Sequence, residues 1–99
     1  MSKLVAIYAH PEDEEAFEKA YFEGHLPLIE KVPGLQGIEV NKLTRTLVGY
    51  KAPHMIATMT FADKDALKAA MNSPEMKAAG ENLDSFAKDM YTLCFAEEK

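Results

Sequence analysis

A histidine in an apolar helical segment is the residue of this chain best suited to chemistry. His25 stands in Tyr21-Phe22-Glu23-Gly24-His25-Leu26-Pro27-Leu28. Imidazole titrates near neutrality, so beside an apolar pocket it can act as general acid or base. Gly24 weakens a helix at this point. Pro27 has no N–H to donate and disfavours α geometry in the residue before it. The spacing predicts a helix break at Gly24–Pro27 that lets His25 project into a pocket as the candidate catalytic group. The structural reading is a cation at a helix end, favoured by the dipole. Tyr8 and Tyr21 are its candidate partners, because a phenol hydroxyl can hydrogen-bond a bound carbonyl or enolate. Taken singly, each tyrosine also reads as a core residue with its hydroxyl at the rim.

The other reactive side chains read differently. His10, before Pro11, ends the first strand, where loops often line sites; it also reads as a turn residue in water. His54 opens the third strand and is expected to be structural. The three histidines show no His-x-x-x-His or cysteine-containing ligand spacing, so no metal is expected. Cys94 lies in a strand without a basic or helix-start environment and is expected to be a buried small apolar residue. Neither Gly-x-x-x-x-Gly-Lys nor Gly-x-Gly-x-x-Gly occurs, so no nucleotide cofactor is expected. Overall, no cofactor is assigned.

The elements that must position these residues follow from periodicity. Leu4–Ala9 is a continuous apolar run and reads as a central strand. Asp13 is an N-cap, with Glu14 and Glu15 in the first turn, and Ala16, Phe17, Ala20, Tyr21 and Gly24 form one helical face. Ile38 to Val48 reads as a long second strand with a slip near Lys42, followed by a hairpin loop at Gly49–Pro53. His54–Phe61 is the third strand. Asp63 caps a helix, Ser73-Pro74 restarts it, and Met90–Ala96 is the fourth strand. The order is strand, helix, strand, strand, helix, strand: a ferredoxin-like α+β protomer with an antiparallel four-stranded sheet, in one domain spanning residues 1–99. Both sheet faces read as largely apolar, yet the helices cover only one. A bare apolar face is costly in water, so a homodimer is expected.

Composition narrows the partners. The 99 residues carry a net charge of −5, and the positive residues are scattered. Nucleic acid, which is held by clustered Lys and Arg, is not expected. An anionic membrane surface is disfavoured for the same reason. The apolar run after Met1-Ser2-Lys3 is too short to span a bilayer and has no cleavage site, so neither a span nor a signal peptide is expected. A single cysteine permits no intrachain disulfide, which suits a cytoplasmic location.

Tyr8-x-x-Pro11-x-Asp13-x-x-x-Phe17, Tyr21-x-x-x-His25-x-Pro27-Leu28 and Pro33-Gly34-Leu35 resemble the EthD family of the dimeric α+β barrel superfamily. Phe61-x-Asp63, Ser73-Pro74-Glu75, Leu83 and Phe86 extend the likeness over nearly the whole chain. Phe22 stands where a second tyrosine is expected, which removes one hydroxyl. The resemblance implies a ferredoxin-like protomer whose sheet packs on a partner's sheet, with a small cavity between helices and sheet in each protomer. It supports His25, Tyr8 and Tyr21 as the catalytic set, with His10, Phe17 and Leu28 lining a ligand. The founding member is associated with degradation of an alkyl ether, and members often carry oxidoreductase labels. Wider relatives include cofactor-independent monooxygenases, polyketide cyclases, lactone isomerases and haem-degrading enzymes. No single reaction transfers from that range. Two expectations result: a cofactor-independent enzyme acting on a small apolar or aromatic molecule, of oxidoreductase, monooxygenase or cyclase type, or a non-catalytic binding or accessory module.

Overall fold

In a computed structural model describing all of residues 1–99, alternation along the strands decides which side chains enter the core. On β1 (Ser2–Tyr8), Leu4, Ala6 and Tyr8 are buried, while Val5 and Ile7 point the other way and are half-buried. β3 (Met55–Phe61) repeats the pattern, burying Met55, Ala57, Met59 and Phe61. β2 (Gly37–Lys42) and β4 (Tyr91–Glu97) complete an antiparallel sheet of order β2-β3-β1-β4. Tyr8 lies opposite Met55 on one side and Tyr91 on the other, so it sits near the centre of one sheet end.

Capping starts the helices where the sequence places them. Asp13 Oδ1 accepts from the Ala16 N–H at 3.0 Å and opens α1 (Glu14–Lys19). Asp63 Oδ1 does the same for Ala66 at 2.8 Å and opens α3 (Lys64–Met71). Ser73 Oγ accepts from Met76 N–H at 3.1 Å, with Pro74 in the first position of α4 (Pro74–Ala87). Such caps each contribute on the order of 1 kcal/mol. The ferredoxin-like order is as expected.

The expected helix break does not occur. After α1 the chain widens into a π-helical segment, Ala20–His25, and then resumes as α2 (Leu26–Ile29). The Leu26 N–H donates to the Tyr21 carbonyl, five residues back. The wider register accommodates Pro27: a residue without an N–H sits where the hydrogen-bond ladder is already changing step. Gly24 and Pro27 re-space the helix instead of ending it.

Three further expectations are corrected. β2 stops at Lys42, with no bulge-linked extension to Val48, and residues 43–54 form one long connection. Leu47, Val48 and Tyr50 in that connection are almost wholly exposed. Cys94 is exposed, because it lies opposite Val5 on the sheet face that no helix covers. That face is also more mixed than expected. Val5, Ile7 and Ile56 form an apolar strip at its centre, bordered by Lys3, Glu39, Asn41, Thr58, Thr60 and Thr92. A mixed face with an apolar centre is suited to pairing with a second copy. Light scattering at micromolar concentration is expected to give a dimer for the wild type and a monomer for Ile7→Glu; a monomeric wild type would contradict the sheet-face argument.

Candidate functional site

The inner wall of the protomer is a chain of aromatic rings. Tyr8 rises from the end of β1 and meets Phe17 of α1 at a centroid distance of 5.7 Å and Tyr21 of the π segment at 5.4 Å, both edge-on. Tyr21 in turn lies 5.3 Å from His25. Phe17 and Phe86 of α4 meet at 5.7 Å, and Phe86 lies 6.3 Å from His25. Edge-to-face pairs of this spacing contribute roughly 0.5–1.5 kcal/mol each beyond burial. Tyr21 and His25, four residues and about one turn apart, share the inward face of the π segment, so the imidazole faces α4 instead of solvent.

His25 is buried, at 3% exposure. Its Nδ1 lies 3.2 Å from Asn82 Oδ1, and in the Nδ1–H tautomer it donates to that oxygen. A Cβ on Gly24 would make only an ordinary van der Waals contact with Asn82 Nδ2, at 4.0 Å, so the packing there does not require glycine. Burial pulls the His25 pKa below 6.5, against the smaller opposing effects of Asn82 and the Ala79 carbonyl. The ring is therefore held neutral, a proton acceptor at neutral pH. Burial likewise pushes Tyr8 well above the ordinary range, reinforced by Tyr21 and Tyr91. Tyr21 is also raised, by burial, with the hydrogen bond from Tyr8 opposing it. Both phenols thus stay protonated and act as hydrogen-bond donors, not bases.

An open cavity of about 460 Å³ lies against this wall, lined by His10, Glu12, Ala16, Phe17, Phe86 and Met90 among others. It brings together two of the expected ligand-lining residues, His10 and Phe17. Leu28 does not join them; it packs half-buried against the core from α2. Tyr8, Tyr21 and His25 are adjacent to one another but lie behind Phe17 and Phe86, not on the cavity surface. Asn82, Phe86 and Met90 are the neighbours that sequence reading missed as site residues. Their signal was present in part: Asn82 sits one turn before Phe86 on the same face of α4.

A second polar group lies on the far side of Phe17. Glu14 and Glu18 of α1 both contact the Lys42 ammonium, Glu18 at 3.1 Å. His54, 3% exposed, brings Nε2 to 3.2 Å from Glu18 Oε2. The ammonium holds the Glu14 carboxyl below its usual range.

A ferredoxin-like protomer with helices on one sheet face and a small lateral cavity is the class these features define. The EthD domain family model matches residues 9–89. A crystal structure of an ethyl tert-butyl ether D (EthD) family protein from Bacillus halodurans superposes with a TM-score of 0.94 at 36% identity, covering 100% of this chain and 99% of that one. The chain belongs to the EthD family. An uncharacterised 11.0 kDa protein from the thcB-thcC intergenic region of Rhodococcus erythropolis is 26% identical over 100% of this chain and 96% of its own length. Two more distant structures share the fold. One is a dimeric ferredoxin-like protein of unknown function from Jannaschia, with TM-score 0.71 and 18% identity over 99% and 100% of the two chains. The other is SnoaB, a cofactor-independent oxygenase from Streptomyces nogalater, with TM-score 0.68 and 14% identity over 99% and 91%.

The lowered His25 pKa makes a stability prediction. The unfolded chain binds a proton at about 6.5 while the native ring resists it, so the unfolded state takes up more protons as pH falls. His25 contributes its full share of stability above pH 6.5 and loses it as pH drops through the lower native value. Urea midpoints are expected to fall more steeply below pH 6.5 for the wild type than for His25→Gln. Equal slopes would place no depressed imidazole at this position.

Proposed function

We propose that this protein is a dimeric, cofactor-independent enzyme that takes a small apolar or aromatic molecule bearing a carbonyl or phenol and moves a proton on it through His25. The observation that carries the reading is the neutral imidazole of His25, buried and oriented by Asn82, in line with two protonated phenols and one ring away from a cavity. A ligand entering between Phe17 and Phe86 would turn the half-buried Phe86 aside. His25 then accepts a proton from carbon beside the carbonyl or from the phenol oxygen. Tyr21, with Tyr8 behind it, donates a hydrogen bond to the oxygen where negative charge gathers. The apolar wall suits an aromatic ligand and excludes water, which strengthens each of these interactions. A cofactor-independent oxygenase on the same fold is compatible with this chemistry, since that fold holds a site without a resident group.

The dimer is part of the proposal. The mixed sheet face, the exposed Leu47, Val48 and Tyr50, and dimeric relatives of the same fold support it.

One observation favours the other reading, a non-catalytic binding module. The apolar part of the cavity surface is made by Ala16, Phe17, Phe86 and Met90, and neither His25 nor a tyrosine hydroxyl reaches the cavity. The two readings separate on a proton-transfer assay. With 1-tetralone as probe in deuterated buffer, the enzyme reading expects deuterium to enter beside the carbonyl. His25→Gln is expected to slow this by about 10²–10⁴-fold, the usual contribution of general base catalysis. Phe86→Ala, which opens the wall, is expected to speed it. Tetralone binding without exchange in wild type and Phe86→Ala would favour the module, and unchanged exchange in His25→Gln would remove His25 from the mechanism.

A further inference from the structure

The residues on the far side of Phe17 carry a second inference, independent of the cavity. We propose that Glu14, Glu18 and His54 form a binding site for one divalent transition-metal ion of the zinc class, with Lys42 as the cation it displaces. Two of the side chains come from α1 and the third from about forty residues further on, which is why the complete ligand set does not show in the sequence. Glu14 and Glu18 are one turn apart on α1 and share a face. His54 stands just before β3, and its backbone is pinned on both sides: its N–H donates to the Tyr8 carbonyl at 2.8 Å and its carbonyl accepts from Leu43 at 3.0 Å. Its ring is flanked by Phe17 at 5.7 Å and His10 at 5.5 Å. One ligand atom from each residue lies within 4.8 Å of the others.

The buried atoms distinguish this group from an ordinary acidic surface. His54 Nε2 is fully enclosed and has no hydrogen-bond partner; Glu18 Oε2 is enclosed too, without an aligned hydrogen bond, and lies 3.1 Å from the Lys42 ammonium. Nε2 and Oε2 approach to 3.2 Å without the alignment of a hydrogen bond. Buried polar atoms are normally satisfied, so an enclosed imidazole nitrogen left without a partner beside a carboxylate oxygen calls for a third party. The Lys42 ammonium does not supply it, since it contacts the carboxylates and leaves Nε2 without a partner. Lys42 and Glu14 are about half exposed, and ion pairs of that exposure are weak and screened by salt, so the ammonium can swing out into water. One imidazole and two carboxylates are a recurrent donor set for zinc, and three protein ligands leave a position open for water or a small oxygen ligand. An ion there would tie α1 to the start of β3.

The test is zinc titration of the chelator-stripped full-length protein by calorimetry, with cobalt absorption to report ligand geometry. One ion per protomer is expected. Glu18→Gln and His54→Ala are each expected to weaken it at least about tenfold, as loss of a ligand should. Lys42→Met is expected to tighten binding, because the competing cation is gone, whereas a purely structural ion-pair cluster predicts no gain. Glu98→Gln, an exposed carboxylate outside the cluster, is the control and is expected to leave zinc affinity unchanged. If His54→Ala fails to fold, Glu18→Gln and Lys42→Met still decide the matter. No binding by wild type and Lys42→Met at millimolar zinc, or an affinity indifferent to Glu18→Gln, would overturn the site.

Discussion

The contact of Tyr8 with Phe17 and Tyr21 is the joint on which the protomer turns. Tyr8 ends the central strand, and its ring is the last core residue of that sheet end. Two rings from successive turns of the first helix close on it. This fixes the helix axially and rotationally. His25 consequently faces α4, Phe17 forms the inner wall of the cavity, and Glu14 and Glu18 are turned towards His54. Without the Tyr8 ring in place, neither polar group would have its geometry.

The π-helical segment is the cost of that arrangement. A π turn is wider and less well hydrogen-bonded than an α turn and recurs at functional sites. Here it allows the helix to pass Gly24 and Pro27 while keeping Tyr21 and His25 on one face. An α register over the same residues would leave Pro27 in a helix interior, with a lost rung and a clash worth roughly 3 kcal/mol. The chain instead takes the change of register where proline has no N–H to offer. The result is a buried imidazole whose neutrality follows from its surroundings, not from a charged partner.

Two polar groups therefore flank one phenylalanine. On one side of Phe17 lies the cavity, half of it polar, and behind its apolar wall are His25 and two phenols that burial keeps protonated. On the other side lie two glutamates, a lysine and a buried histidine. The first is suited to proton chemistry on an apolar molecule, the second to holding a cation. Family membership is firm over most of the chain, while the fold itself carries diverse chemistry, so the reaction must be read from these side chains.

Strand order, helix starts and the family were legible in the sequence because they rest on local signals. Alternation marks Leu4, Ala6 and Tyr8, side-chain caps mark Asp13, Asp63 and Ser73, and the block from Tyr8 to Leu35 is distinctive. The family likeness grouped His25, Tyr8 and Tyr21, and their rings lie in a row, Tyr8 against Tyr21 and Tyr21 against His25. The tertiary structure decided the rest. Whether Gly24 and Pro27 end the helix or re-space it depends on packing against α4, which compensates a strained register. The length of β2 depends on where β3 stops pairing with it, and the exposure of Cys94 depends on which face the helices cover. The retreat of His25 behind Phe86, and the meeting of Glu14, Glu18 and His54, bring together residues about forty to sixty positions apart. Local sequence sets conformational preference; which distant side chains then share a space is settled only when the sheet and helices close on one another.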